Sequence, residues 1–92
     1  PEIAKKIFKD LEKQFVCTYD ETGSIGRLYR RMDEVGSTLC ITVDHQSLKD
    51  QTVTLREIST MKQIRVKIPE LKETIMKILD GKIIFEKAGK LI

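Results

Sequence analysis

Residues Asp20 to Gly36 read DETGSIGRLYRRMDEVG, and the fold turns on this stretch. Its first part, Asp20 to Gly26, is rich in turn and cap formers: Asp20, Thr22, Gly23, Ser24 and Gly26. Ser24 is placed to cap a helix. From there Ile25, Leu28, Met32 and Val35 recur at spacings of three and four. That period predicts a helix over Ile25 to Val35 with one apolar stripe, closed by Gly36. Arg27, Arg30, Arg31 and Glu34 fall on its other side, with Asp33 beside them. A helix between two strands makes the connection a crossover, and crossovers join parallel strands.

Upstream, Ile3, Ala4, Ile7, Phe8, Leu11 and Phe15 form a second helical stripe, with Pro1 and Glu2 suited to a first turn. Val16 to Tyr19 reads as a short strand. Downstream, Thr38 to Val43 (TLCITV) is a mostly apolar run, predicting a strand buried on both faces. Asp44 to Gln51 reads as a polar loop. Thr52 to Ile58 and Gln63 to Ile68 both alternate, with Val53, Leu55, Ile64, Val66 and Ile68 inward. Ser59 to Lys62 joins them tightly. Pro69 opens a last helix with Leu71, Ile75, Ile78 and Leu79 on one stripe and Glu73–Lys77 as an i,i+4 pair. Gly81 ends it. Lys82 to Ile92 is a tail, a further strand or a docking segment. The order is helix, strand, helix, three strands, helix. It predicts an α/β sandwich in which parallel strands at the front meet an antiparallel addition.

The 92 residues fit one small domain, predicted over residues 1–81 with the tail at 82–92. With 40% hydrophobic and 34% charged residues, the chain has the composition of a folded soluble domain rather than a disordered tail. No uninterrupted apolar run exceeds three residues, so no membrane helix or signal-peptide core is visible. Starting at Pro1 with a helix already under way, the chain reads as a fragment of a longer protein. Cys17 and Cys40 lack metal-ligand spacing and read as free, buried and cytosolic thiols. A net charge of +3 is too weak by itself to indicate nucleic acid.

Catalytic constellations are absent from the pattern. His45 is the sole histidine, in a polar stretch that predicts solvent exposure. The glycines around Ser24 match neither a P-loop nor a dinucleotide fingerprint. No carboxylate pair is placed for acid–base work. The arginines are more informative: three of the five, Arg27, Arg30 and Arg31, lie within five positions. Arginine offers planar, multi-donor contacts to phosphates and bases. A second polar group comprises Arg56 and Glu57 with Gln63 and Arg65 just past the next turn. Solvated helix and strand faces account for either group equally simply. Tyr19 and Tyr29 are the candidates for base stacking, and both also suit the edge of a core.

These two segments resemble the anticodon-binding domain of class II aminoacyl-tRNA synthetases, most closely that of the glycine enzymes. The matching positions are Gly23-Ser24-Ile25-Gly26-Arg27, Tyr29, Arg31, Asp33-Glu34 and Gly36, then Thr54-Leu55-Arg56-Glu57 through Met61-Lys62-Gln63-Ile64-Arg65. Together they cover about a third of the chain. Leu28, Met32 and Ser59 depart from the pattern. The resemblance implies a three-layer α/β/α domain with a five-strand, mixed and mainly parallel sheet. It also implies that the family's first strand is missing before Pro1. That strand would lie between the strands placed at 16–19 and 38–43. Either a preceding segment supplies it, or another segment such as Lys82 to Phe85 fills the gap.

The implied function is recognition of a glycine tRNA anticodon stem-loop. A separate catalytic domain of a cytoplasmic, homodimeric parent ligase would attach glycine with ATP and Mg. The resemblance implies no catalytic residue, cofactor or metal within these residues. Glycine anticodons end in two cytosines, whose amino group donates beside two acceptors. Asp33, Glu34 and Glu57 are therefore the candidate acceptors, and Arg31, Arg56 and Gln63 the candidate donors, for base contacts. Arg27, Arg30, Lys62 and Arg65 are candidates for phosphates. Asp33 also suits a pair with Arg27 or Arg30. Two other functions fit the same fold: a synthetase-related accessory module on other nucleic acid, as in a polymerase processivity subunit, and a protein-interaction domain.

Overall fold

A computed structural model of the chain describes residues 2–20, 23–30 and 38–92. Helix α1 spans Glu2–Leu11, and three strands follow: β1 (Phe15–Asp20), β2 (Ser24–Arg30) and β3 (Leu39–Thr42). A short helix α2 (His45–Asp50) leads into β4 (Thr52–Glu57) and β5 (Lys62–Lys67). Helix α3 (Ile68–Leu79), a 3-10 turn at Phe85–Lys87 and the two-residue β6 (Lys90–Leu91) complete the chain. The six strands lie in chain order in one sheet, and every neighbouring pair is antiparallel. The α/β content predicted from sequence is there. The mainly parallel, five-strand sheet is not.

The reversal traces to Ser24–Arg30, which forms a strand where a helix was predicted; residues 31–35, the rest of that helix, and Gly36, its predicted end, lie outside the described residues. Ser24 accordingly opens a strand rather than capping a helix. Gly23 makes the return possible: at φ +103 its N–H donates to the Asp20 carbonyl at 2.9 Å. Only glycine adopts that conformation without strain. Within β2, Ile25 and Leu28 are both fully buried, although residues three apart in a regular strand face opposite ways. A register shift between them against β3, with Arg27 left-handed at φ 50, restores both to the core. β2 thereby lies between β1 and β3, the place expected for a missing strand, and Lys82 to Phe85 does not fill it.

Both long helices pack on one face of the sheet. Ile7 and Leu11 of α1 and Leu71 and Ile75 of α3 share a core with Ile41, Leu55, Ile64 and Val66. Lys72 Nζ of α3 reaches Asp10 Oδ1 of α1 at 3.4 Å, so the helices lie side by side. Among the described residues the arrangement is two layers, not three. The opposite face lacks a long helix, which explains β3: Leu39 and Ile41 are buried, Cys40 is half-buried and Thr42 exposed, rather than buried on both sides. Cys17 is half-buried too, so neither thiol is as enclosed as predicted, and neither is in a disulfide.

Helix α3 follows its pattern. The Glu73–Lys77 pair forms at 3.4 Å, and Gly81 leaves α3 at φ +71. The stretch read as a polar loop contains α2, whose Asp44 and Ser47 form a reciprocal capping box. The tail joins the sheet through β6, and Phe85 enters the core. Gly89 is required there, because a Cβ would stand 2.7 Å from the Arg65 carbonyl oxygen.

Candidate functional site

The antiparallel registers sort the sequence-predicted residues by face. Arg56 of β4 stands opposite Gln63 of β5, and Cys40 of β3 stands opposite Arg56. Facing residues on neighbouring strands share a side of the sheet, and residues two apart on one strand do also. Arg56, Gln63 and Arg65 therefore lie together on the face that carries neither long helix, called the helix-free face, with α2 at its corner. Glu57 and Lys62, opposite each other one step along, project from the other face. Glu57 Oε1 accepts a hydrogen bond from Thr60 Oγ1 at 2.8 Å, within the turn where Met61 is left-handed at φ 62. Lys62 Nζ pairs with Glu86 Oε1 of the 3-10 turn. The structure thus brings Arg56 and Gln63 together and separates them from Glu57 and Lys62.

Arg65 is tied down. Its Nη2 donates to Asp44 Oδ2 at 2.7 Å and to Thr54 Oγ1 at 3.2 Å; its Nη1 donates to Thr52 Oγ1 at 3.0 Å. The side chain is 13% exposed. Asp44 in turn accepts from the Ser47 N–H at 3.1 Å as the cap of α2. Arg65 therefore fastens α2 to the sheet. Arg56 differs: it is half-buried, and among the described residues no ion pair or side-chain hydrogen bond engages its guanidinium. Arg27 is exposed on the β2 bulge, and Arg30 ends β2. Arg31, Asp33 and Glu34 lie outside the described residues.

The Arg65 contact holds the Asp44 carboxyl down to about 2 from an ordinary 3.8, with the Ser47 bonds adding to the effect and partial burial opposing it. Asp50 is lowered as well, first by the Thr52 hydroxyl and then by Gln46. A carboxyl whose pKa is lower folded than unfolded binds fewer protons in the folded state over that interval. Its stabilisation is complete above about pH 4 and disappears as pH falls towards about 2. Asp44→Asn is expected to flatten the acid limb of a stability-versus-pH curve in that window. An acid limb unchanged by the substitution would refute the assignment to Asp44.

Tyr19 occupies a core-edge position. The Tyr19 ring packs on Phe8 with centroids 5.6 Å apart, and Tyr29 is half-buried. His45 is exposed, as predicted, but as the first residue of α2. A concavity of about 460 Å³ opens between the start of α1 and α2, walled by Ile3, Val43 and Leu48, and no predicted contact residue lines it. Among the described residues no three His, Cys, Asp or Glu side chains converge as a metal site, and no helix is long and apolar enough to cross a membrane.

Sequence reading assigned no role to Thr42, Asp44, Thr52, Thr54 or Lys90, all neighbours of the arginines on this face or at its corner. The Asp44-x-x-Ser47 cap signature was the one legible signal among them.

Comparison with known proteins gives the family of the chain. The family model described as "Anticodon binding domain" matches residues 1–78. A glycine–tRNA ligase of Ruminiclostridium cellulolyticum is 53% identical over 70 residues, covering 76% of this chain and 15% of the relative. That of Geobacillus thermodenitrificans is 50% identical over 82 residues, 89% of this chain and 17% of the relative. That of the Thermococcus sibiricus enzyme is 46% identical over 80 residues, 86% of this chain and 14% of the relative. The chain thus spans about a sixth of the length of these curated relatives. No solved structure matches it. With the family model matching most of its length, the chain belongs to the anticodon binding domain family.

Proposed function

We propose that this chain is the anticodon-reading module of a glycine–tRNA ligase, gripping the anticodon stem-loop while a separate catalytic domain of the parent attaches glycine using ATP. The observation that carries the reading is the Arg56–Gln63 pair, side by side on the helix-free face with Arg56 unengaged among the described residues. Both matched motifs of the family, and relatives named glycine–tRNA ligase over as much as 89% of the chain, support it. Arg56 and Gln63 donate to the ring acceptors of a cytosine, and Asp33 and Glu34 accept from its amino group. Unpaired loop bases expose those edges. Arg27 and Arg30 hold phosphates and supply affinity without sequence information. Arg65, committed to Asp44, shapes the surface rather than contacting RNA. Catalysis, ATP and its magnesium belong to the remainder of the parent.

The test is titration of the chain with a glycine anticodon stem-loop and with one whose two cytosines are uridines, across a salt series. The cytosine loop is expected to bind tighter by about 1–3 kcal/mol, roughly 5- to 150-fold. Arg56→Ala is expected to abolish the difference while leaving the circular dichroism spectrum unchanged. Equal binding of both loops by the folded chain would overturn base reading.

A further inference from the structure

The backbone of Gln63 is held by the end of the chain. Ile92 N–H donates to the Gln63 carbonyl oxygen at 3.0 Å, continuing the ladder in which Ile64 stands opposite Leu91 and Arg65 opposite Lys90. In an antiparallel ladder the N–H and C=O of one residue turn to the same neighbouring strand. Gln63 therefore turns its backbone to β6 and away from β4. The β4 side agrees: Ile68 N–H donates to the Gln51 carbonyl oxygen at 2.8 Å, which fixes the alternation along that ladder. Followed from that bond, Arg56 and Gln63 form a non-hydrogen-bonded pair, the kind whose side chains stand closer. The tail thus supplies the ladder bond that Gln63 does not make to β4.

Among the described residues no hydrogen bond engages the Gln63 side chain, whereas Arg65, two positions on, is fixed through its guanidinium. The tail itself is anchored on both sides of β5. Phe85 is buried in the core. Glu86 pairs with Lys62, the residue before Gln63. Gly89 lies so close to β5 that a Cβ would stand 2.7 Å from the Arg65 carbonyl oxygen and 3.1 Å from Val66 Cγ2. Leu91 and Ile92 are 55% and 58% exposed. Their hold on β5 is therefore mainly through the backbone, and they add little to the core.

We propose that Gly89 to Ile92 form a positioning strap for base reading, holding the Gln63 backbone so that its side chain meets a cytosine beside Arg56. The proposal rests on the anticodon-reading function and adds to it the segment that sets one of the two donors. Without the strap β5 becomes an edge strand, and its end next to the β4–β5 turn opens more readily. A base-edge contact requires its donor at hydrogen-bond distance and angle, held there by the surrounding structure. A loosened Gln63 therefore removes discrimination before it removes binding. Arg56 keeps its place, because β4 stays paired with β3. Arg27 and Arg30 lie on β2, beyond β3 and β4, so the phosphate contacts assigned to them are unchanged.

Two variants test the strap, each with its fold checked by circular dichroism and each titrated well below its Tm with the cytosine and uridine loops. The first is the chain shortened to end at Ala88, which keeps Phe85 in the core and removes only the strap. The second is Gly89→Ala, which keeps every charge and puts a methyl group against the Arg65 carbonyl oxygen, so the strap must move off β5. In both, the preference for the cytosine loop is expected to fall about fivefold or more, the low end of what one base-edge contact supplies. In Gly89→Ala the slope of log K against log salt is expected to stay that of the parent chain, because no charge is lost. A tail that only stabilised the fold would lower Tm and leave the cytosine-to-uridine ratio alone. An undiminished ratio in the folded shortened chain would therefore overturn the strap; if that chain does not fold, the same result in Gly89→Ala overturns it. These readouts separate the two ideas. Full cytosine preference in the parent chain and in both variants refutes the strap alone, whereas no preference in the parent chain refutes base reading and the strap with it.

Discussion

Leu28→Ala is expected to cost about 2–5 kcal/mol of stability, as much as Ile25→Ala. Both side chains are fully buried. Were β2 a regular strand, one of the two would face the helix-free side, and trimming it would cost within about 0.5 kcal/mol. The register shift between them and the left-handed Arg27 put both into the same core. Urea unfolding of the two variants measures the costs. A cost below about 1 kcal/mol for Leu28→Ala would mean that the bulge is wrong. A helix over the same residues would also bury the pair, so a second variant separates the cases. Ser24 and Thr42 face each other across β2 and β3. Their Cα atoms are thus about 4.5–5.5 Å apart, and a Ser24→Cys, Thr42→Cys pair should oxidise to a disulfide. A helix at 25–35 would leave no such pairing, and failure of the disulfide to form would count against β2.

Arg65→Met is expected to lower stability by about 2–3 kcal/mol, or Tm by about 10–20 °C in a domain of this size. Methionine keeps the apolar stem and removes every donor. Asp44 loses its bond at 2.7 Å, and the Thr52 and Thr54 hydroxyls lose bonds at 3.0 and 3.2 Å. Thr52 and Thr54 are both buried, so water cannot readily replace the lost partner. The same substitution should return the Asp44 carboxyl towards its ordinary value and remove its part of the acid limb. In an Asp44→Asn, Arg65→Met double-mutant cycle the two losses should fall well short of additive, because they remove one interaction. Additive losses, or a Tm within about 2 °C of the parent for Arg65→Met, would show that Arg65 does not fasten α2 to the sheet.

The elements with an unambiguous period were legible from the residues. Helix α1, helix α3 and the alternating β4 and β5 formed where their apolar spacing put them, except that Phe15, the last residue of the first helical stripe, opens β1. Two of the remaining segments carried conflicting or absent signals. Helix α2 has six residues and one large apolar side chain, Leu48, which is 70% exposed, so no stripe marks it. Its capping box was the only trace. At Ile25 to Leu28 a spacing of three satisfied the helical template, and a bulged strand satisfies it as well. Local spacing could not separate them, because what decides is pairing with β1 and β3, residues distant in sequence.

The candidate site divides the same way. The amino-acid sequence by itself determined the family: the two motifs, their order and their glycine-type residues were sufficient, because they depend on residue identity alone. It also determined which side chains could meet a base or a phosphate, since that is chemistry carried by the residue type. Only the tertiary structure decided which of them share a surface. Arg56 and Gln63 were separated from Glu57 and Lys62 by the alternation of β4 and β5, and Arg65 was withdrawn by Asp44, a residue 21 positions away. Strand direction was decided there too. An antiparallel meander replaced the parallel crossover once β2 entered the sheet, because register and direction are set by hydrogen bonds between strands, which no single segment contains.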